Sequence, residues 1–302
     1  MKRLTILSTV LVMAISFFTI EIMEQKPPIQ LVSPLLKNEK VVGVNQWFPS
    51  GILGIQADGL NITAEAALFI DSKSGQTLFS KNPTKKLPIA SLVKVMTALI
   101  ALEHKSLDDQ LLVSQRASEM EPDKMLLIAQ ERLSLKELLY GIFMISANDA
   151  AEVLAEGTTG NRDEFIQLMN GKAKQLGMND SFFINPTGLD EDSNNSYSTV
   201  YDLAILTRFI IRHYPEVVEI SKTPYIFIPE TEEHQSYEMW SGINLLTTYP
   251  GVIGFKTGYT PEAGLVLITL ARKDGNEVIG VLLGSGDRRD EARELLDYSF
   301  FH

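Results

Sequence analysis

The sequence predicts an α+β fold in which an antiparallel sheet is built from both ends of the chain and a block of helices is inserted between them. Three observations carry this. Short β-type runs stand at 66–80 and return from 254 to 284. Between them, apolar residues recur at helical spacing behind identifiable capping residues. A last amphipathic segment, EARELLDYSF (291–300), reads as a closing helix. Strands, then helices, then strands again place the two strand groups in one sheet.

The chain opens on Met1-Lys2-Arg3 and an apolar run from Leu4 to Ile20. A basic start followed by an apolar stretch is an export signal. Residues 1–23 are therefore expected to be either a signal peptide or an N-terminal membrane anchor, the run being at the lower limit for crossing a bilayer. The basic residues predict that the N-terminus stays inside and the rest faces out. From 24 to 61, Pro27, Pro28, Pro34 and Pro49 interrupt any periodicity, which reads as a linker with some packing around Trp47 and Phe48. Residues 62–302 are expected to form one catalytic domain.

AALFID (66–71), the turn KSGQ (73–76) and TLFS (77–80) predict a hairpin. A helix is expected from about Ser91 to His104. Ser134-Leu-Lys-Glu137 is a capping box ahead of LLYGIFMI. Asn161 opens a helical segment carrying Phe165, Leu168, Met169 and Leu176, which stops at Gly177. Thr199 opens another, with Leu203, Leu206 and Ile210, which ends before Pro215. After Tyr225 the pattern returns to strands, chiefly GFKTGYT (254–260), GLVLITLAR (264–272) and EVIGVLLG (277–284), the last two separated by Asp274-Gly275.

Composition narrows the function. A net charge of −11 argues against nucleic acid as a partner, because its phosphates would be repelled. The absence of cysteine removes disulfides, thiol catalysis, zinc–thiolate sites and lipoprotein acylation together. The four histidines (104, 213, 234, 302) show no metal-ligand spacing, so no metal is expected. Asp190-Glu-Asp192-Ser-Asn194 starts like a calcium loop but lacks its glycine and its final glutamate, at Asn195 and Tyr201. It reads as a loop near a cleft.

Three short patterns carry chemistry. Ser91 and Lys94 are three residues apart and share one helix face. A lysine so placed can take the serine proton once burial lowers its pKa. The pattern alone arises by chance roughly once per 300 residues and equally fits an ordinary first helical turn. Ser146-Ala-Asn148 offers a hydroxyl and a carboxamide for a proton relay and a substrate amide, or simply a helix cap. Lys256-Thr257-Gly258 sits on a strand; Lys and Thr suit a carboxylate, and a glycine lets a ligand backbone lie against the edge. It also fits a plain strand end.

Taken in this order, about 55 and 110 residues apart, the three patterns are a set found in β-lactamases and penicillin-binding proteins. With ISANDAAEVLAE (145–156), FINPTGLDED (183–192), STVYDLAIL (198–206), GFKTGYTPEAG (254–264) and LLDYSF (295–300), the chain resembles the D-alanyl-D-alanine carboxypeptidases over about residues 62 to 300. The resemblance implies a β-lactamase/DD-peptidase-like fold and an exported enzyme that needs no cofactor. Its substrate would be a peptidoglycan stem peptide ending in D-Ala-D-Ala, and β-lactams would be inhibitors. It implies Ser91 as nucleophile, Lys94 as base and Ser146 as proton relay. Asn148 would bind the peptide, and Lys256 and Thr257 the terminal carboxylate, with Gly258 beside them. The N–H groups of Ser91 and Tyr259 would form an oxyanion hole, and Arg288 would assist with the carboxylate.

The chain departs from the pattern at Ala147, where glycine is common. It also ends at His302, where many relatives continue into a β-rich second domain and an amphipathic membrane helix; membrane attachment is then expected from the N-terminal segment. Two rival readings stand beside this one. A class A β-lactamase needs a deacylating glutamate, but the corresponding text, SFFINPTGL, has no acid. A catalytically inactive wall-binding protein would lack part of the polar set, which is complete here.

Overall fold

Strand β1 (Ala66–Asp71) alternates between two buried faces: Ala66, Leu68 and Ile70 point to one side, Ala67 and Phe69 to the other. A strand covered on both faces has no polar positions to spare, which is why AALFID reads as a continuous apolar run. The computed structural model describes residues 48–51, 60–191 and 194–301. The expected signal or anchor segment, most of the proline-containing linker and Trp47 lie outside them. Phe48 lies inside, with its ring against Gly177, and Ser50 pairs with the hairpin turn through Thr77 N–H (3.0 Å).

The main sheet has five antiparallel strands. β1 and β2 (Thr77–Lys81) come from the start of the domain, and β3 (Val252–Thr260), β4 (Gly264–Lys273) and β5 (Asn276–Ser285) from its end. The order is β2-β1-β5-β4-β3. The first and last segments therefore pair, with Leu68 opposite Val281 and Ile70 opposite Ile279. Phe69 stands opposite Gly280 on the same pair; a Cβ on Gly280 would collide with the Phe69 ring. One large and one absent side chain share the space that two ordinary residues would fill.

The helices fall on the two faces. On one side lies the inserted block: α1 (Val93–His104), α2 (Leu135–Ile145), α3 (Asn148–Thr159), α4 (Arg162–Gln175), α5 (Val200–His213) and α6 (Pro215–Ser221). On the other, α7 (Arg288–Phe301) packs Ala292, Leu295 and Leu296 against Phe69, Leu282 and Leu267. α1 is the centre of the block, with every residue from Val93 to Leu102 buried. A helix apolar on nearly all sides belongs inside, and Lys94 is carried there with it.

The expected caps are in place. Ser134 and Glu137 form a reciprocal capping box on α2. Asn161 accepts from the N–H groups of Asp163 and Glu164, and Thr199 from that of Asp202. Two boundaries differ from the sequence expectation. Pro215 does not merely stop a helix; it opens α6, where its missing N–H costs nothing. α7 begins three residues early because the Asp287 carboxylate accepts from the N–H groups of Arg289 and Asp290 and caps it. A second hairpin, Tyr225–Ile228 with Tyr237–Trp240, precedes the main-sheet strands. Among the described residues no helix is long and apolar enough to cross a membrane.

The Phe69–Gly280 pairing is directly testable. Gly280→Val forces the ring or the strand to move and should lower unfolding free energy by about 1–3 kcal/mol, read by urea denaturation. An unchanged midpoint would show that the sheet has slack there.

Candidate active site

The residues before α1 form a short 3-10 turn, Ala90–Leu92, rather than the first turn of a regular helix. Ala90 has φ +44°, and the following residue is Ser91. The turn is held from two sides. Gly188 packs so closely on the Ala90 carbonyl that no Cβ could fit, and its φ of +82° favours glycine as well. Gly258 on β3 faces it from the other side, where a Cβ would stand 2.9 Å from the Ser91 nitrogen. The glycine of Lys256-Thr257-Gly258 thus admits the turn itself, whereas the sequence suggested an approaching ligand.

Lys94 follows one turn later and is fully buried. Its Nζ donates to Ser91 Oγ (2.9 Å), Asn148 Oδ1 (2.7 Å) and the Thr187 carbonyl (2.6 Å). Three acceptors match the three protons of an ammonium. Burial nonetheless pushes this lysine down to about 7, against the pull of Asp123, Asp149 and Glu152. At neutral pH it can therefore be a free amine in contact with a hydroxyl, which is the state a proton acceptor needs.

Ser146 and Asn148 arrive from the junction of α2 and α3. Ser146 ends α2 in the left-handed region (φ +62°), Ala147 makes the corner, and Asn148 begins α3. One corner therefore delivers a hydroxyl and an amide to the same cleft. Ser146 Oγ accepts from Lys256 Nζ (2.8 Å), and the same ammonium donates to the Thr257 carbonyl (2.6 Å). Lys256 is buried on β3, and its pKa lies well below the ordinary lysine value because of burial first and the Lys94 and Arg288 charges next.

Thr257 is half-buried and the Tyr259 side chain is 62% exposed, both on β3. Arg288 enters from the start of α7, and its Nη1 donates to the carbonyls of Gly258 (2.5 Å) and Val266 (3.3 Å). It ties β3 to β4 beneath the motif and brings a third positive charge close to Lys256. The structure thus gathers Ser91, Lys94, Ser146, Asn148, Lys256, Thr257, Gly258, Tyr259 and Arg288 around one cleft between β3 and the helical block.

Sequence reasoning assigned no role to the supports of this cluster. Asn185 builds a turn by accepting from Thr187 N–H (3.2 Å) and Gly188 N–H (2.7 Å), which aims the Thr187 carbonyl at Lys94. The Asn-Pro-Thr-Gly text signals such a turn but not its target. Asp149, buried beside Asn148, accepts from the N–H groups of Met125 (3.0 Å), Leu127 (3.1 Å) and Ala150 (2.8 Å). Asn148 itself holds the Pro122 carbonyl through Nδ2 and the Asp123 carbonyl through its N–H (2.7 Å). One wall of the cleft, Pro122–Leu127, is thereby pinned to the start of α3. The loop after Gly188 reaches the far end of β3: the Asp190 carboxyl is pushed up to about 6 by desolvation first and by the Glu262 carboxyl it faces next.

Comparison with known proteins places this arrangement. The profile of the D-alanyl-D-alanine carboxypeptidases matches residues 54–287. The chain belongs to that family. It is 33% identical over 245 residues to the D-alanyl-D-alanine carboxypeptidase DacF of Bacillus subtilis, covering 78% of this chain and 62% of that one. This chain therefore spans somewhat under two thirds of that relative's length. Among solved structures, the carboxypeptidase DacD of Francisella tularensis superposes with a TM-score of 0.75 at 27% identity, over 82% of this chain and 72% of that one. Penicillin-binding protein D2 of Listeria monocytogenes, solved with cefotaxime bound, gives a TM-score of 0.68 at 32% identity, over 81% of this chain and all of that one. The neighbours share the α+β architecture read from the sequence.

Removal of the Asp149 carboxylate tests the pinned wall. Asp149→Ala leaves buried N–H groups of Met125 and Leu127 without acceptors and should cost about 3 kcal/mol of unfolding free energy. A loss under about 1 kcal/mol in urea denaturation would show that the wall holds itself.

Proposed function

We propose that the protein is a serine-type D-Ala-D-Ala carboxypeptidase that trims the terminal D-alanine from peptidoglycan stem peptides and is acylated by β-lactams. The observation that carries this reading is the contact of Ser91 Oγ with a fully buried Lys94 whose pKa sits near neutrality. Family membership and the names of the relatives support it.

In this reading Lys94 takes the proton as Ser91 Oγ attacks the carbonyl carbon of the penultimate D-alanine. The developing oxyanion is met by the N–H groups of Ser91 and Tyr259. Lys256 and Thr257 hold the terminal carboxylate, with Arg288 reinforcing the positive field, and Asn148 holds the peptide. As the C–N bond breaks, Ser146 passes a proton to the departing amine, drawing on its contact with Lys256. Water then cleaves the acyl ester and restores Ser91. The segment 181–189, which lies against Lys94 and the Ser91 turn, has no acid to speed that last step on a β-lactam adduct, so the adduct should persist.

The proposed place of action is outside the cytoplasmic membrane. Residues 4–23 would serve as export signal, cleaved or retained as an anchor, and residues 62–302 as the catalytic domain.

Fluorescent penicillin labelling with peptide mass mapping tests the reading. A lasting adduct on Ser91 is expected, and Lys94→Ala should slow its formation by about 10²–10⁴-fold with the fold kept. Normal labelling of that variant would sink the mechanism; rapid penicillin turnover would indicate a β-lactamase, and a folded but unreactive protein an inactive wall-binding role.

The pH dependence follows from the same lysine. The free amine is the active form, so the acylation rate should rise with pH through a midpoint near the Lys94 value of about 7. A rate already flat from pH 5 upward would mean that another group takes the proton.

A further inference from the structure

We propose that the cavity beside the Asn185–Leu189 turn is a saccharide subsite, which takes a sugar of the amino-sugar strand that carries the stem peptide; this rests on the reading of the chain as a D-Ala-D-Ala carboxypeptidase. The cavity measures about 540 Å³ and is lined by Phe182, Ile184, Glu191, Asn194, Asn195 and Tyr197. That volume lies in the range of small-molecule sites.

The aromatic part of the lining is built in. Phe182 and Tyr197 exchange both backbone hydrogen bonds (2.9 and 3.0 Å), so their rings stand side by side, 6.1 Å between centroids and 28° from parallel. Phe182 stays 46% exposed, whereas Phe183 next to it is fully buried. The segment is fixed in place. Asn170 holds the Phe183 N–H (2.9 Å) and carbonyl (2.7 Å), and the Ile184 N–H donates to Ser196 Oγ (3.1 Å). Aromatic surface that is already rigid costs little ordering entropy when a ligand covers it.

The rest of the lining is polar, and its charge is matched. Glu191 and Asn194 exchange backbone bonds (3.0 and 2.7 Å), and the Asn195 amide nitrogen donates to Asp190 Oδ1 (2.5 Å). Of the six lining residues only Glu191 is charged. Arg162 pairs with it (2.6 Å) and with Glu152 (3.2 Å). Lys86, with Nζ 5.7 Å from the Tyr197 ring centre, pairs with Asp180 (2.9 Å). An anionic ligand therefore meets no unmatched cation in this lining, and a cationic ligand no unmatched carboxylate. What fits is a neutral ring with a C–H face for the aromatics and amide and hydroxyl groups for the asparagines and Glu191. An N-acetylated hexose has that form.

The cavity also lies within reach of the cleft. Ile184 is three residues from Thr187, at most about 11 Å along the chain, and the Thr187 carbonyl accepts from Lys94 Nζ (2.6 Å). Four stem residues stand between the sugar and the scissile bond, and extended they span up to about 14 Å. One stem can therefore place its terminus at Ser91 and its sugar on Phe182.

The test uses the full chain as wild type, Phe182→Ala and Phe182→Tyr. D-Alanine release is measured on a disaccharide-pentapeptide and on the same pentapeptide without sugars. The ratio of the two kcat/KM values cancels any general loss of active protein. Wild type and Phe182→Tyr should favour the sugar-bearing substrate by about tenfold, and Phe182→Ala should bring the ratio close to one. Saturation-transfer NMR with the peptide-free disaccharide, its lactyl group blocked as an amide, should show binding to wild type and Phe182→Tyr but not to Phe182→Ala. A wild-type ratio of one with no sugar binding, or a gain that persists in Phe182→Ala, would overturn the saccharide site and leave the carboxypeptidase reading standing. Sugar binding that depends on Phe182, without D-alanine release from either substrate, would support the site and remove the carboxypeptidase reading. Tighter binding of poly(glycerol phosphate), also lost in Phe182→Ala, would overturn the saccharide assignment in favour of an anionic polymer.

Discussion

The burial of the Lys94 ammonium is the constraint from which the rest of the site follows. Taking such a group out of water costs on the order of several kcal/mol unless its protons find acceptors. Here three acceptors come from three separate parts of the chain: the turn before α1, the start of α3, and the Asn185–Leu189 loop. A misplaced acceptor would leave a buried N–H unpaired, so the lysine in effect dictates where those segments must sit. The same surroundings set its pKa. Enough acceptors are present to tolerate the charge and too little solvent to favour it, so its pKa falls into the neutral range.

The sheet contributes the other half through close approach. Gly258 lets β3 come up against the Ser91 turn, and Gly188 does the same from the loop side. Ser91 is therefore gripped between a strand and a loop, both in contact with residues 90 and 91. Rigid placement of this kind is what a reacting hydroxyl needs, since small displacements are costly in rate. β3 itself is held by pairing to β4 and by the Arg288 guanidinium, which spans carbonyls on both strands. Because β4 pairs with β5 and β5 with β1, the site rests on a sheet joined from the two ends of the domain.

Electrostatically the cleft is unlike the protein around it. The chain carries a net charge of −11, yet the cleft concentrates Lys94, Lys256 and Arg288. Each of these basic groups is held by neutral oxygens, carbonyls and hydroxyls among them, and not by a carboxylate in direct contact, while burial favours the neutral forms of Lys94 and Lys256. The acids near Lys94 act at a distance, tuning the field without cancelling it.

What the sequence by itself determined was everything carried by local periodicity and local chemistry. The apolar runs of β1, β4 and β5, the capping residues Ser134, Asn161 and Thr199, and the three motif patterns were legible because each is written within a few adjacent residues. So was the order of elements that brings both strand groups into one sheet. What tertiary structure alone decided was whatever depends on contacts between distant segments. The 3-10 geometry at Ser91 exists because Gly188 and Gly258 press on it from about 100 and 170 residues away. Thr187 and Pro122 meet Lys94 and Asn148 through backbone carbonyls, which every residue possesses and no residue type announces. Arg288 could be numbered from the sequence, but its attachment to the Gly258 and Val266 carbonyls could not.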